Sequence, residues 1–168
     1  MHLCALLSGI QQVLSEYGSI HQCFCAAYQA SDETVLPALT FLAGKINASH
    51  GDCGPGHLMP CPEKGSACKR LNLYMRWMVR RDAVDPGGWD DISPAKLIVP
   101  LDVHMFRIVR EIGLTNRRQA NMATALRVTQ GFCQWSPNDP VRYDFALTRF
   151  GIRNGASGSA ALKQELAR

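Results

Sequence analysis

The sequence has no apolar run approaching the roughly 20 residues that cross a bilayer, which excludes a helical membrane span. Met1 to Ile10 lacks the basic start and small-residue cleavage site of a secretory signal, so a cytoplasmic protein is expected. The seven cysteines are an odd number and, with no export signal, read as reduced thiols rather than a disulfide framework. No internal repeat is visible, and no pair of strands flanks a hairpin turn. An all-α helical array is what remains.

A length of 168 residues, 46% hydrophobic and 19% charged, suits one globular domain with a real core. We read residues 1–152 as that domain and 153–168, rich in Gly and Ser at its start, as a loose tail. The net charge of +4 decides little by itself. Its placement says more: Lys64, Lys69, Arg70, Arg76, Arg80, Arg81, Arg107, Arg110, Arg117 and Arg118 crowd the middle of the chain. Either a polyanionic partner or a solvated basic face accounts for that.

The periodicity predicts a first helix from Met1 to Tyr17, with Leu3, Leu6, Leu7, Ile10, Val13 and Leu14 as its apolar stripe, ended by Gly18. Ser19 caps a short helix through Ala30, and Asp32 caps another reaching about Asn47, with Pro37 limiting its regularity. Ala48 to Gly65 has loop composition. Ser66 is the expected cap of a helix that stops before Asp85-Pro86-Gly87-Gly88. Ile98 to Leu101, broken by Pro100, reads as a buried approach to Asp102, which caps a helix ending at Gly113. Asn116 then caps a helix to about Trp135, and Asp139-Pro140 opens the last core helix, ending near Gly151.

Two segments carry the residue types of a catalytic site. Val99-Pro100-Leu101-Asp102-Val103-His104-Met105-Phe106-Arg107-Ile108 sets an aspartate at a helix N-terminus, where the plainest role is a cap worth about 1 kcal/mol. On the helix after Ser66, Lys69, Asn72, Arg76 and Arg80 fall at i, i+3, i+7 and i+11, a face that could track phosphates. Lys69 lies in the first turn, where the positive end of the helix dipole favours a neutral, nucleophilic amine over an ammonium. Without further context it is one more surface lysine.

A third cluster, His50, Cys53, His57, Cys61 and Cys68, could hold zinc, but its spacings match no standard pair of knuckles. No metal and no cofactor is therefore expected. Of the aromatics Tyr74, Trp77, Trp89, Phe106 and Trp135, the loop residue Trp89 beside Gly87 and Gly88 is the one singled out for stacking on a base.

The Asp102 segment resembles the aspartate-bearing run of helix-hairpin-helix DNA glycosylases, which reads Val-Asp-Thr-His-Val or, in the 8-oxoguanine branch, Pro-Val-Asp-Val-His-Met. Residues 61–152 are similar to a bacterial and archaeal family of unassigned function in that superfamily, through Glu63-Lys64-Gly65-Ser66-Ala67-Cys68-Lys69-Arg70-Leu71-Asn72, Trp77-Met78-Val79-Arg80, Pro100-Leu101-Asp102-Val103-His104 and Asp139-Pro140-Val141-Arg142-Tyr143-Asp144-Phe145-Ala146-Leu147. The wide separation of Lys69 from Asp102 is similar to that in archaeal 8-oxoguanine DNA glycosylases. The resemblance implies a helix-hairpin-helix glycosylase array acting on double-stranded DNA that contains a damaged base such as 8-oxoguanine.

In that reading Lys69 is the nucleophile of a glycosylase and AP lyase and Asp102 its electrostatic and proton-transfer partner. Lys64, Arg70, Asn72, Arg76, Arg80, His104 and Arg107 would contact the nucleic acid, and the protein would act as a monomer. Two features depart from the family pattern. The Leu-Pro-Gly-Val-Gly hairpin is absent, with only Gly65 in its place, and relatives carry more sequence before the first helix, so an N-terminally shortened array is expected. The four-cysteine iron–sulfur loop of many glycosylases is excluded, because no cysteine follows Cys133. The rival reading is a non-catalytic DNA-binding module of the same fold.

Overall fold

The computed structural model describes residues 2–48 and 58–154, with 150–154 by backbone alone. The chain is all-α: α1 (His2–Tyr17), α2 (Ile20–Cys25), α3 (Leu36–Asn47), α4 (Lys69–Val79), α5 (Val103–Glu111), α6 (Met122–Cys133) and α7 (Asp144–Asn154). Among the described residues there is no strand, only isolated bridges between Ser66 and Asn121 and between Arg81 and Pro86. None of their helices is long and apolar enough to cross a membrane. The expected tail falls almost wholly on residues outside those described, although α7 runs past 152 to Asn154.

The N-terminal helices α1, α2 and α3 pack on one another. Leucine content does not decide which face of α1 is buried. Ala5, Gly9 and Val13 face the core, whereas Leu3, Leu7 and Leu14 are exposed. Gly9 is the reason: a Cβ there would lie 2.1 Å from the Ile46 carbonyl oxygen of α3, so the helices meet along a ridge of small residues. Gly9→Ala should therefore lower unfolding stability by about 1–3 kcal/mol despite alanine's better helix propensity, because backbone cannot yield as a side chain can. Urea unfolding measures this, and an unchanged or higher midpoint would contradict so close an approach.

Local signals set some helix ends. Gly18 and Gly113 have φ of +80° and +81°, the left-handed conformation that stops α1 and follows α5. Ser19 caps α2 by accepting the Gln22 N–H at 3.0 Å. Other ends differ from the sequence expectation because distant groups take the polar atoms. Helix α2 stops at Cys25 rather than Ala30, and the Lys96 ammonium takes the freed carbonyls of Gln29 and Ala30. Helix α3 begins after Val35, whose N–H donates to the Lys96 carbonyl, and Asp32 accepts from Gln29 instead of capping it. Pro37 sits in the first turn, where no N–H is required.

In the second half, Asn121 rather than Asn116 caps α6, accepting the Thr124 N–H at 3.0 Å. Asp139 does not open α7, which starts at Asp144, because the Asp139 carboxylate is held by Arg80. One continuous core runs from Val13 through Phe24, Leu39, Met75, Met105 and Phe132 to Val141. Helices α5 and α7 pack together across it.

Candidate catalytic site

The stretch Leu97 to Leu101 is buried and extended without being a strand. Its backbone must find partners away from water, and the Val99 N–H donates to Thr129 Oγ1 of α6 at 3.0 Å while that hydroxyl donates to the Ala125 carbonyl. The segment is thereby anchored just before Asp102. There the two carboxylate oxygens divide their work: Oδ1 accepts the Met105 N–H at 2.7 Å, capping α5, and Oδ2 lies 3.2 Å from Lys69 Nζ. The Lys69 side chain is 46% exposed and that of Asp102 13%, so the pair sits at an opening.

Lys69 is the first residue of α4, and its position is set by an unusual backbone. Cys68 has φ 46° and ψ 40°, the only non-glycine positive φ among the described residues. That conformation costs roughly 1–3 kcal/mol and persists because the surroundings impose it. Cys68 is buried, its N–H donates to Ser66 Oγ at 3.3 Å, and its thiol points to the Pro60 carbonyl. The Gly65 carbonyl accepts the Met122 N–H of α6. Ser66, expected as the helix cap, instead braces this turn; no side chain caps α4.

Lys69 and Asp102 line a cleft of about 270 Å³ with Leu73, Arg76, Trp77 and Asp144. Nothing in the sequence singles out Asp144. Burial pushes its carboxyl above the usual range, Arg76 pulls it down, and the Asp102 charge adds a further upward push. The cleft thus joins an accessible primary amine, a carboxylate oriented by a helix terminus, a second carboxyl group paired with Arg76, and an indole wall. These are the groups for nucleophilic attack by an amine on an electrophilic carbon with charge stabilisation beside it.

The remaining expected site residues separate into three groups. Arg76 is 2% exposed, donating through Nε and Nη2 to Asp85 at 3.0 and 2.9 Å and through Nη1 to Asp144 at 2.5 Å, so it cannot track phosphates. Arg80 is held by Asp82, Asp85 and Asp139. Asn72 is buried against the Ala67 carbonyl. Beyond Lys69, the face of α4 expected to meet DNA is covered, because Asp144 of α7, Asp139 before it and the turn at residues 82–85 supply its counter-charges.

Trp89, expected in an exposed loop, lies inside the fold. It is buried between His21, Phe24 and Tyr74, with ring centroids at 4.7, 5.5 and 5.6 Å, and cannot reach a base. Trp77, 43% exposed at the cleft, has that access. The sequence carried a signal for it: Lys69, Leu73, Arg76 and Trp77 fall at i, i+4, i+7 and i+8, one helical face.

Lys64 and Arg70 are exposed on either side of the Lys69 turn, and His104 and Arg107 are half-buried on α5. Arg107 lines a different and larger cleft, about 750 Å³, with Arg110, Glu111, Thr115 and Arg127. That cleft is bigger, but no lysine lines it. Of the loop considered for zinc, His50, Cys53 and His57 lie outside the described residues, Cys61 is half-buried, and Cys68 is committed to the turn just described.

A family described as "Protein of unknown function (DUF2400)" matches residues 1–153. No curated protein and no solved structure matches the chain.

Proposed function

The chain belongs to that family of unknown function. From the pairing of Lys69 with Asp102, together with the resemblance of their segments to helix-hairpin-helix DNA glycosylases, we propose a DNA base-excision glycosylase with AP-lyase activity that acts on an oxidised purine such as 8-oxoguanine. The observation that carries the reading is Lys69 Nζ at 3.2 Å from Asp102 Oδ2 in an open cleft. In this reading the helices form an array of the helix-hairpin-helix glycosylase type, and the protein works on double-stranded DNA in the cytoplasm without a cofactor.

In the reaction the deprotonated Lys69 amine attacks C1′ of the damaged nucleotide as the C1′–N bond breaks and the base leaves with its electron pair. Asp102 stabilises the positive charge that develops on the sugar and takes up the proton lost by the attacking amine. Opening of the sugar ring then leaves a Schiff base between Lys69 and C1′, from which strand cleavage proceeds. A base must leave the duplex to reach such a cleft, and Trp77 at its edge offers a stacking surface. Lys64 and Arg70 beside the Lys69 turn, and Arg107, Arg110 and Arg127 in the larger cleft, supply cations for phosphates.

Borohydride reduction of the protein with a duplex bearing 8-oxoguanine, with other oxidised bases as a panel, tests the reading. A covalent protein–DNA adduct is expected with the native chain and none with Lys69→Ala. Absence of any adduct across the panel would overturn the lyase activity. Duplex binding that falls with salt, ignores damage and is unaffected by Asp102→Asn would leave only a DNA-binding module, in which Asp102 is a helix cap.

A further inference from the structure

Away from the Lys69 cleft, three potential metal ligands converge on a point that no part of the proposed reaction uses. His21 and Cys25 are four residues apart on α2, so their side chains leave the same face one turn apart. Asp91 comes from the turn after Trp89. His21 Nε2 lies 2.8 Å from Asp91 Oδ1, Cys25 Sγ lies 3.4 Å from Asp91 Oδ2, and one ligand atom from each residue falls within 4.8 Å of the others.

We propose that His21, Cys25 and Asp91 form a binding site for a divalent metal ion of the zinc class. Tetrahedral coordination with Zn–S near 2.3 Å and Zn–N or Zn–O near 2.0–2.1 Å requires ligand atoms roughly 3.3–3.6 Å apart. Closing the widest gap from 4.8 Å to that separation takes about 1.2–1.5 Å of side-chain movement. The mixed imidazole, thiolate and carboxylate donor set suits zinc or cobalt and disfavours calcium and magnesium, which take oxygen ligands.

The scaffold is already in place. The Trp89 ring packs on the His21 ring at 4.7 Å and is wedged against Phe24 and Tyr74, and Ile92 on the other side of Asp91 is buried. Asp91 is thus held between two anchored residues and brought to α2 whether or not an ion is bound. His21 and Cys25 are half-buried and Asp91 exposed, which leaves the fourth coordination position facing water. That is the arrangement of three protein ligands plus solvent.

Without an ion, the Cys25 thiol donates a hydrogen bond to Asp91 through its proton. A divalent cation replaces that proton, which leaves to solvent as the thiolate–metal bond forms. None of the three residues lines the Lys69 cleft, so the site stands or falls independently of the DNA reaction.

Cobalt(II) titration of the full chain under a non-thiol reductant tests the site. The expected result is one equivalent bound with a thiolate-to-cobalt charge-transfer band and the intense visible bands of tetrahedral cobalt, bleached by zinc. Cys25→Ser should abolish the charge-transfer band, and His21→Ala and Asp91→Asn should each weaken binding at least about tenfold. Lys69→Ala and the double variant Cys53→Ser with Cys61→Ser should bind as the native chain does.

A spectrum without the thiolate band, a band that survives Cys25→Ser, or a band lost in the Cys53/Cys61 variant would overturn the assignment. Should Cys25→Ser fail to fold, Asp91→Asn carries the test, because that side chain is 55% exposed. Zinc should raise the melting temperature of the native chain but not of Asp91→Asn.

Discussion

Arg76→Met should destabilise the protein by about 3–5 kcal/mol, because truncating the shared partner leaves two buried carboxylates without their main counter-charge. Asp85 is 1% exposed and Asp144 6%, and the Arg76 guanidinium, itself 2% exposed, joins α4 to both. Asp85 keeps a contact with Arg80, which places the loss toward the lower end of that range. Against a typical total of about 5–15 kcal/mol it is still a large fraction. Arg76→Lys should not rescue the fold, since an ammonium cannot grip Asp85 with two donors and reach Asp144 with a third. Arg80→Met should cost less, because its side chain is nearer solvent and Arg76 still holds Asp85.

The pH dependence of that variant has a definite sign. Asp144 has its carboxyl raised in the folded protein, so its contribution to stability is present at low pH and lost as pH rises through the folded value. Removing Arg76 deletes the largest influence opposing that rise. The deficit of Arg76→Met should therefore widen from acid conditions toward neutrality, starting above the ordinary carboxylate value of about 3.9. Denaturant unfolding at several pH values measures both effects. A variant within about 1 kcal/mol of native stability at neutral pH would show that the network is not the fastening described.

Asp102→Asn should separate two roles that Asp102 performs with different oxygens. Asparagine caps a helix about as well as aspartate, so accepting the Met105 N–H survives and stability should change by only a few tenths of a kcal/mol. The charge facing Lys69 does not survive. If that carboxylate stabilises the developing cation, the rate of trapped-adduct formation should fall by about 10²–10³. Asp102→Ala should lose the cap as well, adding about 1 kcal/mol of destabilisation without a comparable further loss of rate. An Asp102→Asn protein that forms the adduct at the native rate would reduce Asp102 to a cap and remove it from the reaction.

Several features of this fold and site were legible one segment at a time. Ser19 and Asp102 cap the helices they precede, and Gly18 and Gly113 lie just past the ends they mark, because each signal involves atoms within three or four residues. The buried approach at Ile98 to Leu101 followed from its composition. Where prediction and structure part, a distant partner is the cause. Asp139 reads as a cap but serves Arg80, 59 residues away, and Arg76 reads as a solvent-facing cation but meets Asp144, 68 residues away. Trp89 has the flanking glycines of an exposed loop, yet α2 and Tyr74 close over it.

The sequence by itself determined that the chain is helical, where α1, α2 and α5 have at least one boundary, and that Lys69 lies in the first turn of one helix while Asp102 caps another. Those properties depend on backbone sterics, capping and periodicity, which act over a single turn. Tertiary structure alone decided that Lys69 and Asp102 stand 3.2 Å apart, that Arg76 is spent on buried carboxylates, and that the small-residue ridge of α1 turns inward in place of its leucines. Burial and charge pairing are properties of surfaces brought together by the whole chain, and no window of the sequence contains both surfaces.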